Sequence, residues 1–138
     1  MKKCFLIILC LFLINTLKAQ QNDFVGNWQL YIADFETGDA IFTKVFNAEG
    51  EFYNARSFQG KSTTTHSGKF VINDKTHYTE IIEKSIREIY PTDQPVPQIE
   101  YEFSKDKKLL SLRVILTNSD GKKSIFWSEV WKRVEIDV

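Results

Sequence analysis

Two glutamates and two basic residues are the side chains of this sequence whose types and spacing suggest chemistry. Glu129 alternates with two tryptophans, Trp127 and Trp131, along a strand-like segment. A carboxylate on an apolar face must be paired, hydrogen-bonded or protonated. Its candidate partners, from other segments, are Lys44, Arg56 and Glu80. Together they would form a polar patch that orients the head group of a ligand in an aromatic-walled pocket.

The placement of the two basic residues depends on one hairpin. Phe46 and Phe52 face each other across the turn signal Ala-Glu-Gly at 48–50. If that face points inward, strand alternation turns three polar side chains the same way: Lys44, Asn54 and Arg56. The alternative interpretation is a satisfied salt-bridge cluster, or charges on the outer face of the sheet.

Catalytic and metal-binding patterns are weak. Glu80 and Glu129 could act as an acid/base pair, as in glycosidases, if the fold set a suitable distance between them. His66 and His77 are the two histidines, and a metal site would need a third ligand from elsewhere. The sequence has no nucleophile elbow and no phosphate-binding glycine loop. We therefore predict no catalytic residues, no metal site and no cofactor.

Residues 1–19 have the pattern of a secretory signal peptide. Lys2 and Lys3 form a positive start, residues 5–14 are apolar, and Ala19 is a small residue at the end. The apolar run is too short to span a bilayer. We therefore expect cleavage after Ala19, a mature domain over residues 20–138, a periplasmic or extracellular location, and no integral membrane span after cleavage.

Removal of residues 1–19 changes the composition in two ways. Both cysteines, Cys4 and Cys10, are lost, which excludes disulfides, cysteine nucleophiles and cysteine-ligated metals. Three of the 18 basic residues are also lost, whereas all 18 acidic residues remain, so the net charge becomes −3. Because nucleic-acid binding needs a concentrated basic face, we predict no nucleic-acid partner.

Composition and turn spacing predict an all-β domain. The 119 mature residues include 45 β-branched or aromatic ones but only nine Ala and Leu. Seven turn signals separate eight predicted strands, near 24–34, 40–47, 51–59, 62–73, 76–84, 97–104, 108–117 and 122–134. Closure removes exposed edges, and eight strands leave room for side chains or one small ligand. We therefore predict an eight-stranded antiparallel up-and-down barrel, with a two-sheet sandwich as the alternative.

The segment 80–90 combines strand and helix signals. Four isoleucines and a serine recur at helical spacing, and Pro91 follows. We predict a strand to about Lys84, followed by a short helical turn.

The last hairpin determines which face of its second strand is buried. The inward face of its first strand is apolar: Leu110, Leu112, Val114 and Leu116. A two-residue turn at Asp120-Gly121 brings one set to that face: Ile125, Trp127, Glu129 and Trp131. A three-residue turn at 119–121 brings the other set: Phe126, Ser128 and Val130. Burial of two tryptophans is the larger apolar gain, so we favour the first register.

The start of the mature domain carries a family resemblance. Its segment 23–30, Asp-Phe-Val-Gly-Asn-Trp-Gln-Leu, contains Gly26-x-Trp28, which resembles the first strand of lipocalins and their calycin relatives. With the motifs at 68–70, 78–80 and 127–134, most of residues 23–134 resemble the secreted bacterial lipocalin-like domains of unknown function. In such barrels the first-strand Trp closes the base and a basic residue of the last strand packs on it. The resemblance therefore pairs Trp28 with Arg133.

Cation–π chemistry supports the same pairing, since an Arg stacked on Trp28 would contribute about 0.5–2 kcal/mol. The alternative is a core Trp28 beside a solvated Arg133. Unlike ordinary lipocalins, the sequence has no helix-length segment after its first or last strand.

The strand pattern, the aromatic content and the resemblance together predict a binding protein. Its partner would be a small hydrophobic or amphipathic molecule in the barrel interior. The alternative is a protein-interaction module, such as a secreted barrel-type protease inhibitor. Its contact segment would be Tyr90–Gln98, where three prolines stiffen a loop.

Overall fold

The computed structural model describes residues 2–89 and 96–135. One helix, α1 (Lys2–Phe24), precedes eight strands. Their bounds are β1 (Gly26–Ala33), β2 (Ile41–Phe46), β3 (Glu51–Phe58), β4 (Lys61–Ile72), β5 (His77–Ser85), β6 (Ile99–Phe103), β7 (Leu109–Thr117) and β8 (Lys123–Val134). All eight predicted strands are confirmed, with ends that differ from the predicted ones by at most two residues.

The strands form a closed antiparallel barrel in sequence order. Each strand pairs with the next, and β1 pairs with β8 to close the ring, with Gln29 opposite Lys132. The predicted up-and-down barrel is therefore confirmed, and the two-sheet sandwich is wrong. The architecture is consistent with a lipocalin/calycin-like fold.

The barrel has one end filled with aromatic side chains, which we call the closed end. The hairpins β2–β3, β4–β5 and β6–β7 lie there, together with the C-terminal end of α1. The core of this half includes Phe24, Trp28, Phe46, Phe52, Phe70, Tyr78, Tyr101, Leu110 and Trp131. The opposite half, which we call the open half, is bounded by the hairpins β1–β2, β3–β4 and β7–β8.

Helix α1 continues five residues past Ala19. Phe24 was predicted to begin the first strand, but it is the last residue of the helix and its ring is fully buried. The prediction was wrong because a residue that plugs a barrel end has the same apolar character as a strand residue. Among the described residues, no helix is both long and apolar enough to cross a membrane.

Arg133 stacks on Trp28 at the closed end. The guanidinium carbon lies 4.2 Å from the centroid of the Trp28 ring, and the two residues are paired in the β1–β8 ladder. The indole Nε1–H donates a hydrogen bond of 2.9 Å to the carbonyl of Phe24. The predicted stack is confirmed, and the solvated alternative for Arg133 is wrong.

Gly26 makes room for this arginine. The Arg133 side chain donates hydrogen bonds to the carbonyls of Asp23 and Val25, at 2.7 and 2.8 Å. A Cβ on Gly26 would lie 2.6 Å from one guanidinium nitrogen, and its φ of +142° disfavours other residues. The backbone conformation and the close approach of Arg133 therefore both favour glycine at this position of the Gly-x-Trp motif.

The β7–β8 hairpin has the predicted register beyond Phe126, but its turn differs from the predicted one. The Asn118 N–H donates to the carbonyl of Lys122 at 2.7 Å, so the turn is the three-residue one at 119–121. The ladder then shifts by one residue at Phe126, between the pairs Ile115–Ile125 and Val114–Trp127. This bulge reverses the alternation, so the inward set of the favoured register is confirmed from Trp127 onward.

Ile125 lies on the turn side of this bulge. It was predicted to face the interior, but it is 59% exposed, so that part of the prediction was wrong. The pairing before the bulge follows the three-residue turn, which places Ile125 opposite Ile115.

The connection after β5 differs from the prediction in its described part. The strand extends to Ser85, and residues 86–89 belong to neither helix nor strand, so the predicted helical turn is wrong there. Most of the Tyr90–Gln98 segment, residues 90–95, lies outside the described residues. Of the remainder, Val96 and Gln98 are exposed and Pro97 is buried.

Candidate functional site

A buried ion pair lies at mid-height inside the barrel. Lys44 on β2 and Glu80 on β5 have side chains that are only 4% and 2% exposed, and Lys44 Nζ forms a salt bridge with Glu80 Oε1. The hydroxyl of Tyr78 donates a second hydrogen bond, of 2.9 Å, to the same oxygen. Burial of two charges is tolerated when they are paired and hydrogen-bonded, as they are here.

Aromatic rings surround the ammonium group of Lys44. Its Nζ lies 5.6, 5.3 and 5.5 Å from the ring centroids of Phe46, Phe52 and Trp131. These distances are within the range of cation–π attraction. The rings and the Glu80 carboxylate therefore fix the position of the only fully buried cation among the described residues.

Glu129 is the second carboxylate of this region. It is paired with Leu112 in the β7–β8 ladder, and its Oε2 accepts a hydrogen bond of 2.8 Å from Trp131 Nε1. Burial raises the pKa of Glu129, and Glu80 and Asp34 act in the same direction. Lys44 and the Trp131 hydrogen bond oppose this rise in pKa without cancelling it. The fold therefore makes ionisation of the Glu129 carboxyl group less favourable than it is in water.

Asn54 and His66 extend the polar region across β3 and β4. Lys44 pairs with Asn54, and Asn54 pairs with His66, so the three side chains share the inward face. Asn54 Oδ1 is buried and accepts no hydrogen bond from the described residues. Burial, followed by the charge of Lys44, lowers the pKa of His66 to about 4.

We call Lys44, Asn54, Glu80 and Glu129 the polar floor. Of the predicted site residues, the structure brings Lys44, Glu80 and Glu129 together there. Tyr78 and His66 complete its surroundings, and the sequence analysis did not select either residue for this role. The signal for Tyr78 was its alternation with Glu80 along one strand, at the spacing that sets two side chains on one face.

The other two predicted residues lie nearer the open end. Arg56 is exposed, and its guanidinium carbon lies 5.2 Å from the ring centroid of Phe58, so it lies outside the polar floor. Trp127 is half-buried opposite Val114 and packs against the core.

Half-buried apolar side chains surround the open half above the polar floor. They pack against the core without being fully covered, and we call them the collar: Leu30, Phe42, Ile82, Leu116 and Trp127. The described interior therefore changes from packed aromatic rings at the closed end, through a polar layer, to a partly exposed apolar ring.

A surface groove lies outside the barrel. It has a volume of about 890 Å³ and runs between the C-terminal end of α1 and the outer face of β6–β8. Its lining combines apolar residues with charged ones, among them the Glu100–Arg113 pair, whose Oε2 and Nε atoms are 2.9 Å apart. Glu129 of the polar floor also contributes to this lining. Solvated charges of this kind need no ligand, so we take the polar floor and collar as the candidate site.

No group of three or more His, Cys, Asp or Glu residues in the described part of the chain has an arrangement that could hold a metal ion. His77 contacts Asp74, with its Nδ1 3.1 Å from Oδ1, on the turn between β4 and β5. His66 lies inside the barrel beside Phe52.

Comparison with known families places this barrel in a defined group. The model of a domain of unknown function, DUF4488, matches residues 23–138. The chain therefore belongs to the DUF4488 family, whose matched region includes every strand of the barrel. No curated protein matches the chain.

Glu129→Gln is expected to stabilise the protein increasingly as the pH rises. Because the pKa of Glu129 is higher in the folded protein than in the unfolded chain, its carboxyl group stabilises the fold fully at a pH below the unfolded-chain pKa of about 4.3. This stabilisation is lost as the pH rises through the pKa of the folded protein. The neutral amide still accepts the Trp131 hydrogen bond and avoids burying a charge. Thermal unfolding between pH 4 and pH 8 would show a growing Tm advantage, at roughly 4 °C for each kcal/mol.

The matched control for this experiment is Glu102→Gln on the exposed face of β6. Its Tm difference from the wild type should stay small at every pH. A Tm difference for Glu129→Gln that did not change with pH would contradict a raised pKa of the Glu129 carboxyl group in the folded protein.

Proposed function

We propose that this protein is an exported binding protein that holds a small, largely apolar or amphipathic molecule in the open half of the barrel. The collar would contact the apolar part of the molecule, and the polar floor would orient its head group. This division of an apolar wall and a few directed polar groups is typical of small-molecule sites.

The observation that carries this proposal is the buried acceptor Asn54 Oδ1, which accepts no hydrogen bond from the part of the chain that the structure describes. A buried polar atom without a partner costs about 1–3 kcal/mol, and such atoms in native proteins call for an explanation. A ligand that donates a hydrogen bond at the floor would remove this cost.

The filled closed end limits the size of the ligand. Aromatic side chains occupy that half, with Phe24 packed against five other rings. The ligand would therefore reach from the mouth to the polar floor and no deeper. The signal-peptide pattern of residues 1–19 supports a location outside the cytoplasm, where small molecules from the surroundings are encountered.

Tryptophan fluorescence and native mass spectrometry test this proposal together. A panel of short lipophilic probes should quench Trp127 fluorescence saturably and form a one-to-one complex. No complex and no quenching over the whole panel would overturn the proposal.

Leu116→Arg tests whether the probe binds at the collar rather than at another surface of the protein. A charged side chain at this inward position should weaken probe binding by about tenfold or more, because apolar contacts are replaced by a charge that must be desolvated. Ser111→Arg on the outer face of the same strand is the matched control and should bind as the wild type does. Equal binding by both variants would contradict a site in the open half.

A further inference from the structure

The charges of the polar floor are unequal in number. Lys44 and Glu80 are buried and form a salt bridge, and Glu129 adds a second, half-buried carboxylate. In the described part of the chain, the hydrogen-bond donor to Glu129 is the neutral indole N–H of Trp131. A second cation is therefore the group that would complete the pairing of charges.

The polar floor also has more free hydrogen-bond acceptors than free donors among its described residues. Asn54 Oδ1 accepts no hydrogen bond from the described residues, and the Glu129 carboxylate has capacity for more than the Trp131 donor. The donors Lys44 and Tyr78 are both directed at one oxygen of Glu80. The floor consequently offers acceptors to a ligand and few donors.

An anionic head group does not fit this arrangement. It would approach two carboxylates, and like charges at short range are unfavourable in a partly desolvated site. Lys44 could not compensate, because its ammonium is covered by three aromatic rings and by Glu80.

We propose that the open half binds an amphiphile with a primary ammonium head group, which donates hydrogen bonds to Glu129 and to Asn54 Oδ1. This inference rests on the proposed function and adds the chemical class of the ligand. The ammonium supplies one positive charge and three donors, and the apolar chain contacts the collar. Burial raises the pKa of Glu129 although the charge of Lys44 opposes the rise, which is consistent with a carboxyl group that forms no salt bridge with the described residues.

Four probes with one ten-carbon chain separate charge from hydrogen bonding: decylamine, decyltrimethylammonium, decanol and decanoate. Binding to the purified protein is measured at pH 7.5 by calorimetry and tryptophan fluorescence. Decylamine should bind about tenfold or more tightly than decanol and decyltrimethylammonium, and decanoate should bind most weakly. The trimethylammonium probe has the positive charge but no N–H donors. Weaker binding of this probe than of decylamine would therefore measure the contribution of the hydrogen bonds.

The outcomes separate this inference from the function on which it rests. Equal affinity for all four probes would overturn the ammonium inference and leave the binding function intact. Tightest binding of decanoate would also overturn the inference. Absence of binding by every probe would overturn both.

Glu129→Gln and Asn54→Leu test the two acceptors. Each variant should lower the affinity for decylamine about tenfold toward that for decanol, while decanol binding stays within twofold of the wild type. Glu102→Gln, on the outer face, should keep the full preference for the amine. Because glutamine is nearly isosteric with glutamate, Glu129→Gln tests the inference even if Asn54→Leu fails to fold. An unchanged preference for decylamine in Glu129→Gln would overturn the inference.

Discussion

Lys44→Met is expected to lower the free energy of unfolding by about 3–5 kcal/mol, because it leaves the Glu80 carboxylate buried without a cation. The methionine fills a similar volume among the same three rings, so the loss arises from charge rather than from a cavity. The Tyr78 hydroxyl remains as a donor to Glu80, but one neutral hydrogen bond does not replace an ion pair. Urea unfolding at pH 7, followed by circular dichroism, measures the loss.

Two further variants give this prediction its controls. Lys69→Met breaks an exposed ion pair with Glu83, in which the charged atoms are 3.8 Å apart and both side chains are more than half exposed. It should cost less than about 1 kcal/mol. The double variant Lys44→Met/Glu80→Leu removes both buried charges and should recover much of the stability lost in the single variant. A double variant as unstable as Lys44→Met would contradict the explanation that the loss of stability comes from the unpaired Glu80 carboxylate.

The number and order of the strands could be predicted because that information is local. Alternation of apolar and polar residues, β-branched content and regularly spaced turn signals are all short-range properties of the sequence. Closure of the barrel followed from the instability of unpaired edges. Phe24 was misplaced because its burial depends on the end of a barrel that exists only after folding.

The β7–β8 hairpin shows what the local pattern could not supply. The inward position of Glu129 was predicted from a two-residue turn, whereas the structure has the three-residue turn at 119–121 and a bulge at Phe126. These two departures offset one another. A bulge is stabilised by packing between strands, which a local sequence pattern does not show. The inward face was predicted correctly because burial of Trp127 and Trp131 gives the larger hydrophobic free energy.

Arg56 illustrates the limit of alternation for the site. It has the same parity as Lys44 and Asn54, and it pairs with Phe42 in the β2–β3 ladder. Its position close to the end of β3 lets the long side chain reach solvent and pack on Phe58. Alternation therefore predicts which face a residue occupies, but depth within the barrel decides whether a charge is buried. Pairing of Lys44 with Glu80 also joins strands that are not neighbours, which no local pattern reports.

Phe24→Ala is expected to lower the free energy of unfolding by about 3–5 kcal/mol, the usual loss for a buried aromatic side chain. The ring is fully buried at the closed end, with its centroid 4.8–5.8 Å from those of Phe46, Phe70, Tyr78, Tyr101 and Phe103. Removal of the ring leaves a cavity among side chains on several strands, which can close only partly. The measurement is urea unfolding followed by tryptophan fluorescence.

Residues 1–19 should contribute little to this stability, although they continue the same helix. Leu17 is 44% exposed, and Leu17→Ala should change the free energy of unfolding by less than about 0.5 kcal/mol. Deletion of residues 1–19 should likewise leave Phe24 in place, because the carbonyls of Asp23 and Phe24 accept hydrogen bonds from Arg133 and Trp28. The barrel, and not the preceding helix, then holds the plug. A deletion variant that lost as much stability as Phe24→Ala would show instead that residues 1–19 are part of the folded domain, and cleavage after Ala19 would be contradicted with it.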